Sequence, residues 1–260
     1  DNIELIVVDD ASTDNSQQVI RKRLLSFPEV KFIPLTENIG NCKAFNIGWQ
    51  ASSGDYVIDL AADDMLYPKR VALGVECFIE RGSDFGVHFT DAQLIDKSGT
   101  IIGVHETSKY FTDEVPQGIV FRSLLSKYFI NPVTMMYSKT LLDYLGGYDE
   151  SLAYEDFDLW VRSSKKFKYC YSNQVLVAKR DLHTSHGSKQ YRPGSKILSS
   201  TFKVCEKAYL LCEDKDDFSA LRKRINYELK MAVTSLNWLV SFKLYMLRIR
   251  VTKKINAAES

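Results

Sequence analysis

Three groups of acidic residues in this 260-residue chain have the types and positions to do chemistry. Asp9-Asp10 follows the apolar run 3–8, Asp63-Asp64 follows the run 56–60, and Glu155-Asp156-Phe157-Asp158 lies further along the chain. The first two groups come where an apolar strand gives way to a loop. Because such strand ends face the ligand crevice of an open α/β sheet, they predict a site for a metal and a phosphorylated or hydroxylated ligand. That combination indicates an enzyme.

Asp63 and Asp64 are suited to a divalent cation. Mg²⁺ and Mn²⁺ prefer oxygen ligands and are often held by one or two carboxylates, with substrate phosphates completing the shell. Adjacent residues at a strand end point in different directions, so one carboxylate can reach the metal while the other accepts a ribose hydroxyl. Taken alone, the pair is better explained as a cap for the helix that begins near Pro68.

The other acidic residues also have two interpretations each. Asp10 can accept hydrogen bonds from a base or ribose, whereas Asp9 is equally suited to stabilising the turn into Ser12-Thr13. Asp156 is a candidate general base for an incoming hydroxyl, although an acidic residue just before a helix also interacts favourably with the helix dipole. Arg180 and His183 follow a late strand and can place a guanidinium and an imidazole beside a diphosphate, while histidines in loops are commonly plain surface residues.

Short apolar strands alternate with amphipathic helices over the first part of the chain. Strands are predicted at residues 3–8, 30–35 and 56–60, with helices at 17–26 and 42–51 between them. This alternation predicts parallel βαβ units with right-handed crossovers. Further strands are predicted later in the chain, at residues 85–89, 92–95, 100–104, 133–137 and 175–178. A short helix is predicted at residues 141–145, where Gly146-Gly147 stops it. Trp49 and Trp160 lie in predicted helices and are expected in the core.

Composition and charge narrow the function classes. With 34 basic and 33 acidic side chains the formal charge is +1, so the overall field gives no reason to expect a nucleic acid partner. The five cysteines are odd in number and widely scattered, without the spacing of a metal site, which favours reduced thiols in the cytoplasm. No uninterrupted apolar stretch is long enough to cross a bilayer.

From about Ser195 onward the pattern changes to long helices. Residues 222–254 combine many basic side chains with Trp238, Phe242, Tyr245 and other apolar ones. A basic amphipathic helix can lie on an anionic membrane surface, which predicts a peripheral membrane contact through these C-terminal helices. A helical pair that packs on the preceding domain or on another subunit is equally compatible with the pattern.

Four short segments, taken in order, resemble the family 2 glycosyltransferases. They are residues 6–14, 38–48, 54–64 and 155–160, and the likeness extends over about residues 3–188. Each segment is modest alone, but four in the right order and spacing are specific. The resemblance implies a GT-A fold, an α/β/α sandwich that binds a nucleotide-sugar, over residues 1–194, followed by a helical extension over residues 195–260.

The resemblance also implies how the donor is bound. Asp10 matches the residue that contacts the nucleobase, Asp63 the one near the ribose, and Asp64 the metal-binding member of the DxD-type motif. Arg180 and His183 resemble a late Arg-x-x-His element that lies near the diphosphate and the metal, so His183 is an expected metal ligand. The expected cofactor is Mg²⁺ or Mn²⁺.

Asp156 matches the catalytic base of the family's Glu-Asp motif. The implied reaction transfers a sugar with inversion: metal and cationic groups stabilise the departing nucleoside diphosphate while one base activates the acceptor hydroxyl. A single displacement of this kind needs no protein nucleophile.

Three departures from the family pattern affect these expectations. The family's first strand, which ends in a Pro-x-Tyr-Asn-like turn, has no counterpart ahead of Asp1, so we expect a fragment trimmed at its front that binds donor poorly. Ala61 stands where many members have an additional Asp. Phe45 stands where many have Arg, which removes a contact to a base or phosphate.

The sequence therefore predicts an inverting transferase that uses a UDP- or dTDP-linked sugar. The expected acceptor is a carbohydrate or a lipid-linked glycan in polysaccharide biosynthesis, and the expected location is the cytoplasm, including the inner face of the membrane. One rival is a catalytically silent GT-A-like scaffold, which the absent first strand favours. A phospho-accepting receiver domain is a weaker rival, because it needs only one small domain and no Glu-Asp-x-Asp cluster.

Overall fold

The structure is a computed structural model that describes residues 3–181 and 190–258. Within these ranges the strands are β1 Ile6–Asp9, β2 Lys31–Pro34, β3 Tyr56–Val57, β4 Met65–Leu66, β5 Phe85–Ile95, β6 Ile101–His105, β7 Met136–Ser138 and β8 Lys168–Arg180. The α-helices are α1 Ser16–Leu24, α2 Asn41–Gln50, α3 Arg70–Arg81, α4 Phe121–Ser126, α5 Lys139–Leu145, α6 Asp156–Ser163, α7 Lys196–Leu211, α8 Lys215–Thr234 and α9 Trp238–Ala257. Short 3₁₀ helices span Thr107–Tyr110 and Pro132–Thr134.

The described strands form two sheets. β1 and β2 pair in parallel, with Ile6 opposite Lys31 and Asp9 opposite Pro34. The larger sheet has the order β3-β7-β5-β8-β4, and β6 pairs with β5 beside it. β5 runs parallel to β8 and antiparallel to β6 and β7. The long central pair β5 and β8 therefore carries the sheet, and the short strands extend it on both sides.

The prediction of parallel βαβ units is confirmed for β1, α1 and β2 and is wrong for β3. β3 pairs antiparallel with β7, with Tyr56 opposite Ser138. The predicted strand 56–60 is also shorter, since only Tyr56 and Val57 are paired. The apolar periodicity of a strand shows how much of it is buried, but it does not identify the partner strand.

Two other strand predictions change in length. Residues 85–89 and 92–95 belong to one continuous strand, β5, and β8 is far longer than the predicted 175–178. In β5 the polar residues Thr90 and Asp91 are buried, and in β8 Ser172 and Asn173 interrupt the apolar run. Polar residues inside a paired strand break the apolar pattern on which the predictions were based.

Side-chain caps determine where several helices begin. The hydroxyls of Ser138 and Ser195 each accept a backbone N–H at 3.2 Å in the first turn of α5 and α7, and Asp214 does the same for α8 at 2.9 Å. These contacts satisfy amide groups that have no partner within the helix. α5 ends at Gly146, which has a φ of +70°, so the predicted stop at Gly146-Gly147 is confirmed.

The helices after residue 195 pack on the preceding α/β part, which is one of the arrangements that the helical pattern left open. Ser200 Oγ accepts the Ala153 N–H at 2.9 Å, and the Tyr154 and Thr201 hydroxyls lie 2.7 Å apart. The Arg224 guanidinium of α8 is buried and donates to the carbonyl of Leu125 at 3.1 Å. The division at residue 194 into two domains stays a prediction. Among the described helices, none combines the length and apolar character needed to cross a membrane.

Candidate active site

Asp9 and Asp10 at the end of β1 have different structural tasks. The Asp9 carboxylate accepts hydrogen bonds from Ser12 and from Gln17 Nε2, so it stabilises the turn after β1. The two Asp10 oxygens accept the N–H groups of Ile39 at 2.7 Å and Gly40 at 2.9 Å. Asp10 therefore holds the turn that leads into α2. The contact between Asp10 and a nucleobase stays a prediction. A nucleobase would have to share the Asp10 carboxylate with the two N–H groups that it already accepts.

This turn positions the first residue of α2 over the acidic cluster. Gly40 has a φ of +89°, a conformation that side chains disfavour, and Asn41 follows it directly. Asn41 Nδ2 donates to Glu155 Oε2 at 2.6 Å. The chain from Asp10 through the turn to Asn41 thus connects the end of β1 with Glu155.

Tyr148 contacts the acidic cluster through its hydroxyl, and neighbouring residues hold it in place. Asn46 fixes its backbone by accepting the Tyr148 N–H at 2.8 Å and donating to the Tyr148 carbonyl at 3.0 Å. The Phe45 ring stacks on the Tyr148 ring with centroids 4.0 Å apart. The residue that replaces the family's Arg is thus used for packing here. The Tyr148 hydroxyl lies 3.2 Å from that of Tyr137 and donates to Asp59 Oδ2 at 3.1 Å.

Asp59, Glu155 and Asp156 form a cluster of carboxyl groups with perturbed acidity. Burial and the neighbouring Glu155 charge raise the pKa of Asp59 to about 7. Burial and the charge of Asp156 raise the pKa of Glu155 well above its usual value. Burial also raises the pKa of Asp156, whereas its hydrogen bond with Glu155 and the Lys179 ammonium act in the opposite direction. Charges that would repel one another are avoided when some of these groups keep a proton.

Glu155 and Asp156 titrate as a pair. Burial raises the pKa of both carboxyl groups, and each perturbs the other. A proton shared between them avoids the repulsion of two negative charges. A carboxyl group whose pKa is raised by burial has the properties of a general base.

Asp63, Asp64 and Arg180 come together at the far end of β8. The Arg180 N–H donates to Asp64 Oδ1 at 2.7 Å, and Arg180 Nε donates to the Asp63 carbonyl at 3.0 Å. A third bond runs from Arg180 Nη1 to the carbonyl of Asp96 at 2.6 Å. Asp64 is half-buried and Asp63 is exposed, and burial raises the pKa of Asp64. The structure thus brings together three residues that the sequence assigned to donor and metal binding.

Lys179 connects this group with the acidic cluster. It precedes Arg180 in β8, is half-buried, and its ammonium lowers the pKa of both Asp64 and Asp156. Asp59, which accepts the Tyr148 hydroxyl, and Asp64, which accepts the Arg180 N–H, lie in one short segment, so this segment joins the predicted metal ligand to the cluster that contains the predicted base. The site lies between the ends of β1 and β8 and the start of α6.

The carboxylates in this site fit a divalent cation only as part of a larger shell. Asp63 offers a carboxylate, and Asp64 has one oxygen left beside its bond from Arg180. Within residues 3–181 and 190–258 there is no group of three or more His, Cys, Asp or Glu side chains that could hold a metal. His183, the other expected ligand, lies outside the described residues. Mg²⁺ and Mn²⁺ accept one or two carboxylates when phosphates complete the shell, so the residues suit a metal that arrives with a diphosphate.

The sequence interpretation gave no role to Asp59, Asn41, Tyr148 or Lys179. The sequence could have indicated a role for Asp59, because a charged residue within the apolar run 56–60 needs a polar partner. Lys179 stands next to Arg180, which the family motif identified. The remaining two residues contact the cluster only because α2 and the loop after α5 meet there, and that meeting is not visible in the local sequence.

Comparisons with known proteins identify sequences and structures that are similar to this chain. Residues 1–99 match the model of the family described as glycosyl transferase family 2. An uncharacterized glycosyltransferase of Rickettsia typhi is 28% identical over 181 residues, which is 69% of this chain and 55% of that protein. The chain thus spans little more than half the length of this curated relative. The predicted resemblance to family 2 glycosyltransferases is confirmed.

Solved structures share the fold at low sequence identity. The S. aureus protein TarS, residues 1–349, in complex with UDP-GlcNAc superposes with a TM-score of 0.64 at 17% identity, over 95% of this chain and 70% of that chain. The mannosyltransferase PcManGT from Pyrobaculum calidifontis, in complex with GDP-Man and Mn²⁺, gives a TM-score of 0.55 at 15% identity, over 97% of this chain and 74% of that chain. The predicted GT-A fold with a helical C-terminal region is confirmed.

Proposed function

From the match of residues 1–99 to the family 2 glycosyltransferases, we propose that this chain is the catalytic part of an inverting, metal-dependent glycosyltransferase. The observation that carries the proposal is that one short segment contacts both parts of the site: Asp59 accepts the Tyr148 hydroxyl beside the acidic cluster, and Asp64 accepts the Arg180 N–H. An enzyme that transfers a sugar must hold the leaving diphosphate beside the base that activates the acceptor. The segment shared by Asp59 and Asp64 supports such an arrangement.

In the proposed reaction an acceptor hydroxyl attacks the anomeric carbon of the donor sugar. The new carbon–oxygen bond forms as the bond to the diphosphate breaks, and the hydroxyl proton passes to Asp156. Before the reaction Glu155 shares a proton with Asp156, and it keeps the Asp156 carboxylate oriented. Arg180 and Lys179 offset the charge that develops on the diphosphate. A divalent ion held by Asp63 and Asp64 would supply further electrophilic stabilisation of the same phosphates.

The donor we propose is a UDP- or dTDP-linked sugar, contacted by Asp10, Asp63 and Arg180. Structural neighbours that bind UDP-GlcNAc and GDP-Man support the class of nucleotide-sugars. We assign His183 as a further ligand of Mg²⁺ or Mn²⁺ on its sequence position alone. The proposed acceptor is a carbohydrate or lipid-linked glycan in polysaccharide biosynthesis, and the proposed location is the cytoplasm, including the inner face of the membrane.

Calorimetric titration with nucleoside diphosphates tests the donor part of the proposal. UDP, dTDP and GDP are titrated with and without Mn²⁺ into the unaltered chain, Asp64→Ala and the control Asp55→Ala, which removes an exposed carboxylate from the same segment. We expect UDP or dTDP to bind only with Mn²⁺, Asp64→Ala to lose that binding, and the control to retain it.

Transfer is tested separately by following release of the nucleoside diphosphate from the sugar donor that binds. Metal-dependent release that requires Asp156 supports the enzyme. Donor binding without release or transfer by a folded chain would instead support the catalytically silent scaffold. Preference for GDP would overturn the proposed donor base while leaving the transferase intact.

A further inference from the structure

The α8–α9 hairpin exposes an apolar surface that nothing described in this chain covers. One side of α9 is buried against α7 and α8 through Val240, Leu244, Leu247, Val251 and Ile255. The opposite side of its first half is also apolar. We call this second surface the outer strip; with the hairpin turn it comprises Val233, Leu236, Trp238, Leu239, Phe242, Tyr245 and Met246, which are 42–68% exposed. A helix that is apolar on both sides has a second apolar partner or environment.

Cations flank the outer strip on both sides. Towards α7, the Lys243 ammonium lies 5.5 Å from the Phe202 ring centroid and the Arg250 guanidinium 4.5 Å from that of Tyr209. Towards α8, Arg248 and Lys230 line a shallow groove together with Val233, which is itself part of the strip. The apolar surface and the basic groove are therefore continuous.

The charge of this region has one sign. Residues 229–258 contain six cations and no carboxylate side chain; the cations are Lys230, Lys243, Arg248, Arg250, Lys253 and Lys254. The whole chain is nearly neutral at +1, so this positive charge is a local feature. A surface with Trp, Tyr and Phe between flanking Lys and Arg side chains has the composition of a helix that lies in a membrane interface.

The turn between the two helices carries an apolar side chain at an unfavourable backbone position. Leu236 has a φ of +58°, a left-handed conformation that glycine or asparagine adopts more readily, and its side chain is 59% exposed. Neither folding nor solubility favours leucine at such a position. An apolar side chain at the tip of the hairpin is useful when the tip enters an apolar environment.

We propose that the outer strip docks on an anionic lipid bilayer, with α9 lying in the interface plane and the flanking cations contacting lipid phosphates. A second copy of this chain fits less well, because a two-fold contact would bring the same six cations of each copy together. This docking surface is independent of the sugar-transfer proposal, since it uses no residue of the acidic cluster or the diphosphate site.

Vesicle co-sedimentation of the full chain tests the docking surface. The protein is mixed with vesicles of phosphatidylcholine alone or with roughly a third phosphatidylglycerol, at low and high salt. We expect binding to the anionic vesicles, much weaker binding to the neutral ones, and loss of binding at high salt. A folded chain that binds neither vesicle, or both equally, would overturn the proposal.

Two pairs of substitutions separate charge from apolar insertion. Each cation near an anionic membrane surface strengthens binding about fivefold, and the effects of the two cations multiply. Lys230→Gln with Arg248→Gln should therefore weaken binding about 30-fold. Its control, Lys22→Gln with Lys97→Gln, removes two exposed cations elsewhere and should leave vesicle binding unchanged. If the control lost as much affinity, the attraction would be non-specific and the basic groove would have no role.

Trp238→Gln with Phe242→Gln removes two rings that are each 63% exposed and should weaken binding at least about 30-fold. Ile79→Gln with Leu210→Gln, two exposed apolar residues outside the strip, is the control. Circular dichroism of all variants verifies folding. Sedimentation equilibrium tests the alternative occupant, a second copy of this chain. If the unaltered chain is a dimer that does not bind vesicles, and Trp238→Gln with Phe242→Gln makes it a monomer, the outer strip is a dimer interface and the proposal is overturned.

Discussion

Replacing Asp59 with asparagine measures how strongly the acidic cluster perturbs its own members. In the unfolded chain Asp59 titrates near its ordinary pKa of 3.8, whereas in the folded protein burial and Glu155 raise that pKa to about 7. Between these pH values the folded protein binds a proton that the unfolded chain has released. Stability conferred by the neutral carboxyl is therefore lost as pH rises from about 4 to about 7, and it stays lost above.

The size of the effect follows from the difference between the two pKa values. About three pH units correspond to roughly 4 kcal/mol of unfolding free energy. Asp59 retains some exposure, so water screens part of its charge, and we expect about half of that value, or about 2 kcal/mol. The asparagine side chain of Asp59→Asn carries no charge at any pH and can still accept the hydrogen bond from the Tyr148 hydroxyl, so the variant should escape this loss.

Urea unfolding at pH 4 and pH 8, followed by tryptophan fluorescence, gives the required comparison. Relative to the unaltered chain, Asp59→Asn should gain about 2 kcal/mol of unfolding free energy between pH 4 and pH 8. Asp55→Asn, which removes an exposed carboxylate four residues earlier, controls for the loss of a charge. A difference between Asp59→Asn and the unaltered chain that did not change with pH would refute the electrostatic account of the cluster.

Three further substitutions test separate parts of the structure. Asp156→Asn should lower transfer at least about 10³-fold while calorimetry shows nearly unchanged donor affinity, because the base acts on the acceptor; an equally active variant would remove Asp156 as the base. Asp64→Ala should lose the donor binding that requires Mn²⁺, and binding with an unchanged Mn²⁺ dependence would contradict its role as a ligand. Gly147→Ala should lower the free energy of unfolding in urea by about 3 kcal/mol. Gly147 has a φ of +78°, and a Cβ there would collide with Asn46 Oδ1 and lie 2.9 Å from the Trp49 ring. Normal stability of Gly147→Ala would show that the loop can move away from α2.

Local sequence patterns predicted the features that depend on neighbouring residues. The stop at Gly146-Gly147 was correct because a left-handed glycine ends a helix by its own conformation. Trp49 and Trp160 were expected in the core and are buried there. The pairing of β3 with β7 was missed because β4, β5 and β6 lie between these two strands in the sequence, so no local pattern connects Tyr56 with Ser138.

A motif that gives both residue types and order could indicate residues that lie near each other in the fold. Asp64 and Arg180 are in contact although they are 116 residues apart in sequence, and their roles in metal and donor binding stay predictions. Asp59 and Lys179 were not assigned, because their importance depends on which charges surround them in the folded protein. A pKa raised by burial and by Glu155 is a property of the assembled cluster, and the sequence around Asp59 shows only an acidic residue in an apolar run.

The acidic residues are distributed differently from the pattern that the family resemblance implies. Ala61 stands where an additional Asp is expected, and Asp59, two residues earlier, lies beside Tyr148 and contributes to the raised pKa of Asp156. The predicted metal site therefore has one carboxylate fewer than the family pattern implies. Because fewer anionic ligands weaken the affinity for a divalent ion, Mn²⁺ alone should bind weakly and should bind more tightly once the phosphates of UDP complete the shell. Calorimetric titration of Mn²⁺ with and without UDP measures this difference, and equally tight binding of Mn²⁺ without nucleotide would show that the protein supplies a full set of ligands itself.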